Sequence, residues 1–123
     1  MELQMIIRPN KDTQRIFLYR KPVDFGKYVN GLSAIVQYSI KHNPLSGDLY
    51  VFFNRAADKV RILHWEHDGF VLYGKYLEED ALTLPHAKTD EVILNGEQLN
   101  WLLDGIDINF IKRHKPRSHD RAC

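Results

Sequence analysis

Between Asp48 and Leu77 the chain alternates short apolar runs with polar breaks of turn length. Leu49-Tyr50-Val51-Phe52-Phe53 gives way to Arg55-Ala56-Ala57-Asp58, and Lys59-Val60-Arg61-Ile62-Leu63-His64-Trp65-Glu66 follows. His67-Asp68-Gly69 then leads into Phe70-Val71-Leu72-Tyr73-Gly74-Lys75-Tyr76-Leu77. Runs this rich in β-branched and aromatic residues, this closely spaced, predict a three-stranded antiparallel meander. Asp68-Gly69 reads as a two-residue hairpin turn, because a type I′ turn needs positive φ at both central positions. That turn sets His67 opposite Phe70, Trp65 opposite Leu72, Leu63 opposite Gly74, Arg61 opposite Tyr76 and Lys59 opposite Glu78. Alternation then puts Arg61, Leu63, Trp65, Phe70, Leu72 and Tyr76 on one face and Val60, Ile62, Val71, Tyr73 and Leu77 on the other. Both faces are largely apolar, so the hairpin is expected to be covered on both sides, or covered on one and used for binding on the other.

The flanking pattern supplies the remaining elements. Arg15 to Arg20 reads as a strand ending near Pro22, which cannot donate to a ladder; whether Met1–Ile7 is also a strand is left open by the pattern. Asp24 is placed to cap a helix running to about His42, with Val29, Leu32, Ile35, Val36 and Ile40 on one stripe. Gly31 lies inside it, where close packing against the sheet would favour it. Asn43-Pro44-Leu45-Ser46-Gly47 breaks this helix. Leu82 to Pro85 reads as a short extended piece and Thr89–Leu94 as a last short strand. Asn95, with Gln98 three residues on, makes a capping box for a second helix whose buried face is Leu99, Leu102 and Leu103, and Gly105 ends it. The expected fold class is α+β: a central antiparallel sheet of four to six strands, its meander around 49–77, packed by one long helix at about 24–42 and a shorter C-terminal helix at about 96–104. Residues 1–111 read as one domain and 112–123 as a basic tail without apolar periodicity, disordered in the absence of a partner.

Composition changes this picture only in places. The 123 residues carry a formal net charge of +1, but unevenly. Residues 1–23 hold five basic and two acidic side chains, residues 24–111 seven and thirteen, and residues 112–123 five and one. Basic ends on an acidic body suit contact with nucleic acid or an acidic partner. The single cysteine, Cys123, permits no internal disulfide and no thiolate cluster within one chain, as expected of a reducing cytoplasm. No stretch approaches the roughly 18 apolar residues of a membrane span, and Met1-Glu2-Leu3-Gln4 does not start a signal peptide. A soluble, cytoplasmic protein is expected, with no membrane partner.

Candidate chemistry is sparse. His64, Glu66, His67 and Asp68 are the one cluster with metal-ligand character, and they carry the alternative reading of a metal-dependent nuclease. Their spacing is not the His-Glu-x-x-His helix pattern, however, and Asp68 is needed by the turn. Asp48, Glu66, Asp68, Glu78 and Asp80 offer carboxylates for magnesium without a distinguishable triad. Leu45-Ser46-Gly47 lacks the glycine before the serine that a nucleophile elbow requires. No catalytic residue, metal site or cofactor is assigned. Arg55, Lys59, Arg61 and Lys75 interleave with Tyr50, Trp65, Tyr73 and Tyr76, as basic and aromatic side chains do where a sheet holds phosphates and stacks bases. The plainer alternative makes these aromatics core and packs Arg61 along Tyr76. In the tail, Lys112, Arg113, Lys115 and Arg117 are candidates for sequence-independent phosphate contact.

The ordered set Pro44 to Phe52, Arg61 to Trp65, Asp68-Gly69-Phe70 and Lys75 to Glu78 resembles the TnpB-type accessory protein, encoded by the second reading frame of the sixty-six class of bacterial insertion sequences. The resemblance runs from about Pro22 to Ile106 and is distinct from the much larger RNA-guided nuclease that shares the TnpB name. Two positions depart from it: Asp24-Phe25-Gly26-Lys27 lacks an expected arginine, and Tyr76 stands where Lys-Arg-Leu-Glu is usual. The resemblance implies a non-catalytic accessory factor in DNA transposition, a bacterial cytoplasmic protein acting with the transposase and another small element-encoded protein. A DNA-contacting and protein-interaction adaptor is the reading it favours, DNA being a possible partner. A purely structural interaction module is the third reading, and the oligomeric state is not legible.

Overall fold

The computed structural model describes residues 14–78 and 81–105. Its centre is β2, Leu49–Phe53, whose five residues are all buried. A strand buried on both faces must also pair both backbone edges, because an unpaired buried amide costs as much as a lost hydrogen bond. β3, Lys59–Glu66, pairs one edge antiparallel, and β1, Ile16–Tyr19, pairs the other in parallel, with Ile16 beside Leu49. β4, Gly69–Tyr76, lies outside β3, and β5, Glu91–Leu94, lies antiparallel outside β1, so the order is β4-β3-β2-β1-β5. The meander stands where the pattern put it. The expectation of a wholly antiparallel sheet does not hold, because β1 and β2 are joined by a helical crossover and therefore run the same way.

Two apolar layers cover the sheet. On one face, Phe17, Tyr50, Phe52 and Leu63 pack under Leu32, Val36 and Ile40 of the helical crossover. On the other, Ile16, Leu18, Leu49, Val51, Phe53, Val60, Ile62 and Leu94 pack with Leu82 and with Leu99, Leu102 and Leu103 of α2, Gly96–Leu103. Each side chain fully withdrawn from water in these layers contributes about 1.5–3 kcal/mol. Asn95 caps α2 in the expected box: its side chain accepts from the Gln98 amide at 2.8 Å, and the Gln98 side chain accepts from the Asn95 amide at 2.9 Å. Gly105, with φ of 75°, follows the last turn.

The first helix is shorter than expected. α1 spans Val29–Ala34 and passes directly into a π-helical segment, Ile35–Ile40, so Asp24 does not cap it. Asp24 instead closes a separate turn, accepting from the Gly26 amide through its side chain at 2.8 Å and from the Lys27 amide through its carbonyl at 3.0 Å. The Phe25 and Lys27 carbonyls, which a longer helix would use internally, are taken by the Arg61 guanidinium. At the other end the amides of Lys41 and His42 both donate to the Val36 carbonyl, and Lys41 turns the chain with φ of 65°. The wide π turn has a packing consequence. Leu32, Val36 and Ile40 recur every four residues, a spacing that drifts off the contact line in a 3.6-residue helix and is held nearer to it by the wider turn. Gly31 is needed, but not by the sheet: a Cβ there would lie 2.7 Å from Lys27 Cβ.

The β3–β4 register also differs from expectation. The turn centres on His67-Asp68, with Glu66 opposite Gly69, Trp65 opposite Phe70, Leu63 opposite Leu72 and Arg61 opposite Gly74. His67 takes φ of 60°, and the Asp68 amide bonds back to the Glu66 carbonyl, so the turn closes one residue earlier than Asp68-Gly69 would. The resulting slide is by two residues, which preserves the predicted faces.

Asp48 is the one buried charged residue among those described. Its carboxylate accepts from the Arg15 amide at 2.9 Å, the Arg15 guanidinium at 3.1 Å and the Ser46 hydroxyl at 3.2 Å, locking the starts of β1 and β2 together. Asp48→Ala leaves the Arg15 amide without its acceptor and is expected to cost about 1–3 kcal/mol in urea unfolding, against about 1 kcal/mol or less for Ser46→Ala.

Candidate nucleic-acid interface

Where the chain leaves β1, Val23 donates to the Phe53 carbonyl at 2.8 Å, so the loop from Pro22 to Tyr28 runs past the end of β2 beside the β2–β3 hairpin tip. That tip is set by Asn54, whose side-chain oxygen accepts from the Asp58 and Lys59 amides at 3.1 and 3.0 Å, with Ala57 at φ of 59°. Between loop and tip lies an open cleft of about 760 Å³, bordered by Asp24, Phe25, Arg55, Lys59 and Arg61. A smaller hollow of about 230 Å³ continues it over Gly74 to Tyr76, sharing Phe25, Lys59 and Arg61 with the first.

The predicted basic residues separate into different roles. Arg61 is the fastening of the cleft wall: its Nη1 donates to Phe25 O at 3.0 Å and Lys27 O at 2.9 Å. Its guanidinium also lies 4.5 Å from the Phe25 ring centroid and 4.9 Å from that of Tyr28. Arg61 therefore packs on Phe25 and Tyr28 rather than along Tyr76; Lys59 takes that place, with Nζ 5.1 Å from the Tyr76 centroid. Arg55 is exposed at the hairpin tip, and no ion pair among the described residues engages Arg55 or Lys59. Lys75 borders the hollow, but its Nζ is 3.7 Å from Asp104 of the C-terminal helix end. Lys112, Arg113, Lys115 and Arg117 lie outside the described residues.

The aromatic partners divide just as clearly. Tyr50 is core, Trp65 is half-buried edge-on against Phe70 at 5.0 Å, and Tyr73 packs on the α2 side of the sheet. Of the four, only Tyr76, 61% exposed, stands beside cations at the cleft. Tyr28, 64% exposed and stacked on Arg61, joins it at the wall; no spacing signal marks it, since it stands some thirty residues from its partner.

The carboxylates and histidines do not gather. Among the described residues no group of three or more His, Cys, Asp or Glu side chains is placed to hold a metal ion, and this includes His64, Glu66, His67 and Asp68. His64 Nδ1 faces the Gln14 amide nitrogen at 3.4 Å, while His67 and Asp68 form the turn. Asp48 is committed to Arg15 and Ser46, and Asp80 lies outside the described residues.

A polar chain that sequence reading missed crosses the other end of the sheet. Ser46 Oγ lies 3.2 Å from the Tyr50 hydroxyl, that hydroxyl 3.4 Å from His42 Nδ1, and His42 Nε2 3.2 Å from Glu91 Oε2. His42 also packs edge-on against Phe17 at 4.5 Å. His42, Ser46 and Tyr50 lie within nine residues of one another, but they cross a helix end, a turn and a strand, and Glu91 comes from β5, so no single-element periodicity announces them. Burial pushes the Tyr50 phenol above its ordinary value of 10.0, the nearby Asp48 and Glu91 charges adding to this against the Ser46 hydrogen bond and Arg15.

The family of IS66 Orf2-like proteins matches residues 14–113. Two proteins of Sinorhizobium fredii, both described as uncharacterized, are similar over 99 residues: y4jC at 32% identity, covering 80% of this chain and 85% of its own, and y4hO at 28%, covering 80% and 86%. No solved structure matches.

Two outcomes follow from this geometry. Arg61→Lys keeps the charge but not the planar fork between two rings, and is expected to lose about 1–3 kcal/mol of stability in urea unfolding. Tyr50 is more readily protonated folded than unfolded, so its contribution is fully present below pH 10.0 and is lost as pH rises through the higher folded value. Stability measured against pH should fall more steeply there in the wild type than in Tyr50→Phe.

Proposed function

The chain belongs to the family of IS66 Orf2-like proteins, associated with transposition of insertion sequences, and on that footing we propose that it is a non-catalytic adaptor that contacts DNA. The observation that carries this reading is the pair of cations, Arg55 and Lys59, at the mouth of a cleft whose wall is fastened by Arg61. A wall fastened in this way, with two cations at its edge that no described residue ion-pairs, offers phosphate contacts at little ordering cost. The basic segment Lys112, Arg113, Lys115 and Arg117 adds a second set of charges close in sequence. Together they give sequence-independent affinity through counterion release. The transposase and a second element-encoded protein are the partners this reading assigns.

The test is fluorescence anisotropy of a labelled duplex across a salt series. The full chain should bind at low salt with a steep log–log slope. Arg55→Ala with Lys59→Ala should make the slope shallower by about 2, and alanine at Lys112, Arg113, Lys115 and Arg117 by up to about 4. Absence of binding at low salt would refute DNA contact. Unchanged slopes in both variants would place that contact elsewhere on the protein.

A further inference from the structure

Gly74 has no structural duty that requires a glycine. It sits inside β4, where glycine weakens a strand, yet its φ lies outside the left-handed region and its surroundings are open. A Cβ there would meet only the Val60 carbonyl oxygen at 3.8 Å and Arg61 Cγ at 4.0 Å, ordinary contacts. What the missing side chain provides is floor space. Gly74 is exposed beneath the hollow, opposite Arg61, and two pairs along the ladder, on the same face, Lys59 stands opposite Tyr76.

The floor is therefore one side chain wide and flat, with the Tyr76 ring at one end and the Arg61–Phe25 stack at the other. Lys59 stands at its edge and Arg55 farther along the same continuous cleft. Arg61 has turned Nη1 to the Phe25 and Lys27 carbonyls, and the Asp24 carboxylate at the loop end is occupied by the Gly26 amide. What the cleft and its hollow set beside the Lys59 and Arg55 cations is flat π surface, the Tyr76 ring and the Phe25 ring. That combination suits a planar base with a flanking phosphate.

We propose that the hollow over Gly74 receives an unstacked base of single-stranded DNA, held on the Tyr76 ring with its backbone phosphates on Lys59 and Arg55. This rests on the DNA-contacting reading above and specifies its substrate. A duplex keeps its bases stacked and can offer the hollow nothing but phosphate, so the site discriminates single strands from duplex. Gly74 is the specificity element, because any side chain there fills the floor.

Anisotropy with a labelled mixed-sequence oligonucleotide of about twelve nucleotides, and with the matching duplex, tests this on the full chain. The wild type should favour the single strand by about tenfold or more, the worth of one stacked base. Gly74→Val should abolish that preference while leaving duplex affinity and the urea midpoint undiminished, since valine suits a strand better than glycine. Tyr76→Leu, a change at an exposed position, should reduce the preference likewise. Equal affinity of the wild type for both DNAs would overturn the single-strand site while leaving DNA contact standing. Binding to neither would remove both readings. A preference that survives Gly74→Val and Tyr76→Leu would also overturn the site.

Discussion

The rest of the structure depends on satisfying the backbone of one strand buried on every side. β2 has no exposed residue, so water can serve neither its amides nor its carbonyls, and the chain must bring a strand to each edge. The local hairpin supplies one of them at small entropic cost. The other can come only from β1, and the parallel pairing this produces requires a crossover long enough to return along the sheet. That crossover is the helix, which then covers the face it crosses. The mixed sheet, the helical layer over that face and the buried Asp48 at the shared strand ends all follow from this one requirement.

The same crossover prepares the cleft. Its first segment does not become helix at Asp24, because the Asp24 turn and Arg61 together hold the Phe25 and Lys27 carbonyls outward. A cation that sequence alone presents as a ligand for phosphate is thereby a structural fastening, and the cations left at the mouth are Lys59 and Arg55. Arg61 resembles many partly buried arginines in this respect: five fixed donors and a flat face let it join backbone and rings at once.

The legible parts of the molecule were those fixed by local rules. The meander, the Asn95–Gln98 box and the buried stripe on each helix depend on residues a few positions apart, and alternation assigned the sheet faces correctly even though the turn was misplaced by one residue. Turn chemistry misled at Asp68-Gly69 because His67 accepts the left-handed conformation that glycine would take more cheaply. The helix starts later than its pattern predicts because Asp24 reads locally as an N-cap, while the contact that holds the Phe25 and Lys27 carbonyls out of it comes from Arg61, far along the chain. The candidate site was half legible. Residue types named Arg55, Lys59, Arg61 and Tyr76 as a group, but only tertiary contacts separate a fastening from a free cation, and only packing distances show that Gly74 is dispensable to the fold.

The sheet order also has a kinetic side. β2, β3 and β4 are sequential and join through short turns, so their pairing closes small loops and can form early. β5 must find β1, the last described strand meeting the first, which closes the longest loop among the described strand pairs. Transient opening should therefore begin at the β5 edge, where the His42–Glu91 pair bridges crossover and strand, and spare the opposite edge that carries β4. The edge that borders the hollow is thus the one whose pairing depends on the shortest connection in the described sheet.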